Sequence, residues 1–144
     1  MPEKDRYNLD RFVEAQARDY RSALYELRDG RKRSHWIWYI FPQYAGLGRS
    51  STAQRYEISS LDEARAYLAH PLLGPHLLEC CEALLALRGR SARDILGMPD
   101  DMKLRSCVTL FAQISEEGSV FHRILAQYFS GESDSKTLAL LGQG

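Results

Sequence analysis

The chain has 144 residues, 44% of them apolar and 26% charged, with nineteen basic side chains set against nineteen acidic ones. That length fits one domain, which should bury roughly 70% of the surface its unfolded form exposes, so a core is expected without disulfides or metal. A formal charge of zero argues against a non-specific nucleic-acid coat, a polyanion mimic or a polybasic membrane anchor, and the apolar share argues against disorder.

The opening Met1-Pro2-Glu3-Lys4-Asp5-Arg6 has no apolar segment behind its charges and does not read as a secretory signal. No apolar run approaches the ~20 residues of a membrane helix; the richest, His35 to Phe41, is far too short. A cytoplasmic protein with no membrane partner is therefore expected.

The first helix is the clearest. Asn8 is its expected cap, and Leu9, Val13, Gln16, Tyr20, Leu24 and Leu27 recur at spacings of four and three. Phe12 and Ala23 widen that stripe, and Gly30 ends it in the left-handed position. Arg28, Arg31, Lys32 and Arg33 gather at the negative end of the dipole.

The run from Ser34 to Pro42 is ambiguous. Its aromatic and β-branched residues read by propensity as a strand. Yet no second strand exists to pair with it, and a lone strand leaves its backbone unbonded. A short buried helix, capped by Ser34 and stopped by Pro42, is the better expectation.

A Gly-rich loop, Gln43 to Ser51, precedes a short helix from Thr52 to about Ile58. Ser60-Leu61-Asp62-Glu63 is a capping box for a helix running toward His70. Pro71, Gly74 and Pro75 punctuate the chain before an apolar face of Leu77, Leu78, Cys81, Leu84 and Leu85, closed by Gly89. Ser91 to Asp94 opens a helical turn that Gly97 and Pro99 end. The next helix starts near Asp100 and Asp101 and carries Leu104, Cys107, Val108, Phe111 and Ile114. Ser119 begins another, and Asp134 caps a last turn with Leu138, Leu140 and Leu141. The expected fold class is all-α: one compact multihelical bundle over residues 1–144 with no extensive sheet.

Polar residues on apolar faces are the informative ones. Gln16 sits mid-stripe, so its amide either bonds a neighbouring element or faces a polar cavity. His35, at the entrance to the aromatic run, is the candidate acid or base, although no adjacent carboxylate marks a dyad. Trp36 and Trp38, two apart, diverge by about 200° on a helix, so one can be core while the other borders a pocket. Gly46, Gly48, Arg49, Ser50 and Ser51 supply close backbone, hydroxyls and a guanidinium before a helix start, a plausible anion site without P-loop or GxGxxG spacing. Lys103, Ser106, Thr109 and Gln113 form a second face of their helix, either solvated or bordering a cleft.

His76 and Cys80 stand four apart with His70 nearby, but CxxC, HExxH and EF-hand patterns are missing, so no metal site and no cofactor are expected. Three cysteines, Cys80, Cys81 and Cys107, make a poor disulfide framework and read as buried free thiols.

The segments Asp10 to Gln16, Ser34 to Gln43 and Gly46 to Ser50 together resemble a bacterial family known as domain of unknown function 1810. His70 to Gly74, Lys103 to Ser106, Thr109 to Phe111 and Asp134 to Leu141 extend the resemblance over essentially the whole chain. Some members carry the label calpastatin, which we regard as spurious. The resemblance implies a multihelical domain without extensive sheet. It implies no established activity and carries no catalytic residue across.

The expected function is binding of a small anionic, aromatic-containing molecule, nucleotide-like, in one polar cleft. Its walls would come from Gln16, His35, Trp36 or Trp38, Gln43, Gly46, Gly48, Arg49, Ser50, Ser51, Lys103 and Ser106. Any chemistry would use His35, with Arg49 and Lys103 stabilising charge. The alternative is a non-enzymatic helical protein–protein interaction module, in which Gln16, His35 and Lys103 bond internally and an apolar patch lies elsewhere. Nucleic acid is not an expected partner, because no basic face dominates.

Overall fold

Apolar spacing and capping residues decide where the helices lie in the computed structural model, which describes residues 5–142. The first four residues of the stretch read as lacking a signal fall outside that range. Among the described residues the chain forms nine helices and no strand. They are α1 (Asp10–Asp29), α2 (Ile37–Ile40), α3 (Ser51–Arg55), α4 (Leu61–Ala69), α5 (Leu73–Ala86), α6 (Ala92–Leu96), α7 (Asp100–Ala112), α8 (Val120–Phe129) and α9 (Ser135–Leu140).

The long helices pack in sequence of contact, α1 on α5, α5 on α8 and α8 on α7, while α2 is wedged against α1, α5 and α7. The largest sealed side chains, Trp36, Tyr67, Phe12, Phe41, Phe111 and Phe121, come from four different helices and the two residues that flank α2. Phe12 meets Tyr67 edge-on at 5.0 Å, and Tyr67 continues to Phe111 at 5.5 Å. Ring edges against ring faces suit the aromatic quadrupole, which favours this geometry over face-to-face stacking.

The aromatic run is a single buried helical turn, as its lack of a strand partner requires. The Gln43–Ser51 loop still closes with one isolated parallel bridge, Tyr44 to Ile58, through bonds Ala45 N to Ile58 O (2.8 Å) and Ile58 N to Gln43 O (2.9 Å). At the α4–α5 corner a Cβ on Gly74 would lie 2.1 Å from the Leu68 carbonyl oxygen. Only glycine lets these two helices approach so closely.

Several local expectations are corrected. Asn8 does not cap α1. Its backbone is left-handed, and Asp5 instead accepts from the amides of Leu9 (2.7 Å) and Asp10 (2.8 Å). Ser34 does not cap α2: the cap position falls on Trp36, and the Ser34 hydroxyl is committed to Glu26. The Ser60 box is half-formed: Ser60 accepts from Glu63 N, but the Glu63 carboxylate turns to Ser59 N (3.0 Å) and to Arg11 (2.9 Å). α5 stops at Ala86, before Gly89. Of the two readings of the Lys103–Gln113 face, the solvated one fails for Thr109 and Ser106, which α9 buries on α7, while Lys103 and Ser106 border a recess.

Candidate functional site

Glu26 organises the site. It lies on the apolar face of α1, only 6% exposed, and a bare carboxylate there would be costly. The segment after α1 answers that cost by turning its donors inward. The amides of Arg33 (2.7 Å) and Ser34 (2.9 Å) and the Trp36 indole N–H (3.0 Å) donate to Oε1, and the Ser34 hydroxyl donates to Oε2. Burial by itself would raise the pKa. Donation from the Ser34 hydroxyl, the Arg33 amide, Trp36 and the Ser34 amide outweighs it and brings Glu26 down to about 2. The Lys32 amide is fixed as well, on the Ile95 carbonyl (2.7 Å).

With Trp36 held inward, the helical turn sends Trp38 to the opposite side. Trp38 is half-buried and lines a recess of about 440 Å³ with Lys32, Arg33, Ser34, His35, Asp100 and Lys103. The Lys103 ammonium stands 5.3 Å from the Trp38 ring centre, and the Lys32 ammonium 5.1 Å from that of Trp36. Asp100 lies between the two lysines, 3.0 Å from Lys32 and 3.7 Å from Lys103. One carboxylate thus shares two ammonium groups, each facing an indole.

A second recess, about 490 Å³, meets the first at Pro99 and Lys103. Gln43, Leu47, Gly48, Arg105, Ser106, Asp134 and Lys136 line it. Across both recesses five cationic side chains, Lys32, Arg33, Lys103, Arg105 and Lys136, face the carboxylates of Asp100 and Asp134. Arg33 and Arg105 are also met from outside by Asp29 (2.6 Å) and Glu132 (3.5 Å).

The structure therefore brings together His35, Trp38, Gln43, Gly48, Lys103 and Ser106 around two joined recesses, and leaves the other expected wall residues elsewhere. Gln16 is sealed in the core. Its amide donates to the Tyr39 carbonyl (2.7 Å) and the Tyr67 hydroxyl (3.0 Å), and its oxygen meets His76 Nδ1 (2.8 Å). Those contacts complete its bonding, so it has nothing to offer a ligand. Trp36 is fully buried and belongs to the Glu26 network. Gly46 abuts Leu140, and Gly48 is needed because a Cβ there would come within 2.4 Å of Ala53. Arg49, Ser50 and Ser51 are exposed and line neither recess; Ser50 serves as the cap of α3. The His35 ring is exposed at the rim of the first recess.

Burial lowers the pKa of His76, with Glu79 opposing it, so the ring is a neutral donor to Gln16 at pH 7. That ring stacks on Tyr20 at 3.6 Å, and the Tyr20 hydroxyl donates to Glu79. Burial raises all three thiols, Cys80 to about 12 and Cys81 and Cys107 well above their ordinary value. They are buried, free and unreactive. Among the described residues no group of three His, Cys, Asp or Glu side chains is placed to hold a metal ion.

Sequence reasoning missed Glu26, Lys32 and Asp100 as parts of the site. A signal for Glu26 existed, since it falls on the apolar stripe of α1 one position before Leu27. Nothing local pairs Lys32 with Asp100, which are joined only when α7 packs beside the α1–α2 connection.

A family model described as a protein of unknown function, DUF1810, matches residues 6–141. No curated protein matches the chain. Among solved structures, a conserved hypothetical protein from Mycobacterium tuberculosis is 53% identical, with a TM-score of 0.94 over 96% of this chain and 99% of that one.

Proposed function

Since the chain belongs to the DUF1810 family, whose function is unknown, its role must be read from its own side chains, and we propose that it binds a small anionic molecule carrying an aromatic ring, of nucleotide type. The observation that carries this reading is Lys103 poised 5.3 Å over the half-buried Trp38 ring, at the junction of two recesses rich in cations. A flat ring on Trp38 and an anionic group at Lys103 would each gain a partner that water replaces poorly. Each recess falls within the ~300–1,000 Å³ range of small-molecule sites. The cations line two half-open recesses and not a flat strip, which favours a small ligand over nucleic acid.

His35, at the rim, is the group that would give or take a proton there. The lining hydroxyls that meet a carboxylate are spent on the fold: Ser34 donates to the buried Glu26, and Ser106 is shared between the Met102 carbonyl and the Asp134 oxygen that caps α9. Binding is therefore the function this geometry supports. Three buried free thiols suit a reducing compartment, and we place the protein in the cytoplasm. Among the described residues no helix is long and apolar enough to cross a membrane.

The rival reading, a docking surface for a protein, draws support from Met98 and Met102, exposed at 66% and 44% beside the recesses. Titration separates the two. Trp36 is sealed, so ligand stacking should quench the emission of Trp38 alone. Saturable quenching by nucleoside monophosphates, lost in Trp38→Phe and weakened at least about tenfold in Lys103→Ala, supports the proposal. No quenching by any of them, with unchanged melting temperature, overturns it.

A further inference from the structure

Asp134 caps α9, yet only half of its carboxylate is used in doing so. Oδ2 takes every bond: from Thr137 N (3.0 Å), Thr137 Oγ1 (2.6 Å) and Ser106 Oγ (3.3 Å). The Asp134 amide is itself tied to Thr109 Oγ1 (2.9 Å), so the group cannot swing away. Oδ1 is left over. No side-chain polar atom among the described residues is both sealed and unbonded, so Oδ1 is open to solvent, and Asp134 lines the second recess. Among the described residues no lysine or arginine lies within ion-pair distance of it, although Lys103, Arg105 and Lys136 line the same hollow.

A fixed, free carboxylate oxygen among cations is a poor wall for a purely anionic guest, which it would repel. It is a good wall for a guest carrying both an anionic group and hydroxyl donors. From this we infer that the second recess is a subsite for a phosphate-linked polyol. Asp134 Oδ1 accepts from its hydroxyls, and Lys103 and Lys136 hold the connecting phosphates. The inference rests on the proposed binding of a nucleotide ring at Trp38 and sharpens it: the ligand is a nucleoside diphosphate bearing a second, hydroxyl-rich group, laid across Lys103.

The test compares matched pairs by calorimetric titration of the full chain: AMP with ADP-ribose, GMP with GDP-mannose, and UMP with UDP-glucose. The inference expects the extended member of at least one pair to bind about tenfold or more tighter, the worth of one added charge-assisted bond. Asp134→Asn keeps the Oδ that caps α9 and replaces the open oxygen with a donor, so the ratio within the pair should fall toward one. Lys136→Ala, at an exposed position, should reduce the same ratio and serves if Asp134→Asn fails to fold. Equal affinity of both members in every pair, or a ratio that survives both substitutions, overturns the subsite and leaves the Trp38 site standing. Binding of no member of any pair overturns the Trp38 site and the subsite with it.

Discussion

Replacing Glu26 with Gln removes one negative charge and almost no volume, and should destabilise the fold far more than a surface change. In the native state its carboxylate receives two amides, an indole N–H and a hydroxyl, and its pKa stands at about 2 in place of 4.5. A folded pKa below the unfolded one means that stability is present above pH 4.5 and is lost as the pH falls toward 2. At 1.36 kcal/mol per unit, the difference caps the carboxylate's contribution at about 3 kcal/mol near pH 7. Gln keeps the acceptor for the three N–H donors at neutral-bond strength, and Ser34 can rotate to accept from its amide. A loss of about 2–3 kcal/mol at pH 7 is therefore expected. Urea unfolding followed by Trp36 emission gives the difference from wild type. By pH 3 more than half of the gap should have closed, because Glu26 is then protonated in the unfolded wild-type chain while the folded protein still carries the charge. A variant within about 0.5 kcal/mol of wild type at pH 7, or a gap that is the same at both pH values, refutes the reasoning.

Other consequences follow from the same packing. Gly74→Ala places a Cβ against the Leu68 carbonyl and should cost about 1–3 kcal/mol or more, read as a lower melting temperature; Gly89→Ala, whose Cβ meets nothing within 4 Å, lacks that clash and isolates the strain of its left-handed backbone. Gln16→Ala strands the Tyr39 carbonyl and the His76 N–H and should lose about 2–4 kcal/mol in denaturant unfolding, without altering nucleotide affinity at Trp38. His76 titrates below its ordinary value of 6.5, so its midpoint in an NMR pH titration should lie below 6.5, and wild-type stability should fall as the pH drops below 6.5 and the unfolded chain takes up the proton first. All three thiols should resist an aromatic disulfide reagent at pH 8 until the chain is unfolded; reaction of the native protein at the rate of a free thiol would contradict their burial.

The helices were legible because their signals are local. A stripe at spacings of four and three with a terminal Gly30 marks α1, and Ser91 with Asp94 marks α6 by a complete capping box. The divergence of Trp36 and Trp38 was legible too, from helical geometry alone. Less legible were the positions where a distant partner outbids the local one. Ser34 is drawn to Glu26 and the cap position of α2 falls two residues later on Trp36, and Glu63 would complete its own box if Arg11 did not reach it from α1. Ser106 and Thr109 look solvated on α7 until α9 covers them and Asp134 meets their hydroxyls.

Periodicity and caps are properties of neighbours along the chain, so the amino acids alone decided that this protein is helical and where most of its helices stop. Which of its polar groups would be spent inside the fold was decided by packing. Gln16 and Trp36 went to the core, Arg49 and Ser51 to open solvent, and Trp38, Lys103 and Asp134 to the borders of two recesses. A hydrogen bond between residues tens of positions apart forms only when the helices carrying them meet, and no local pattern records that meeting.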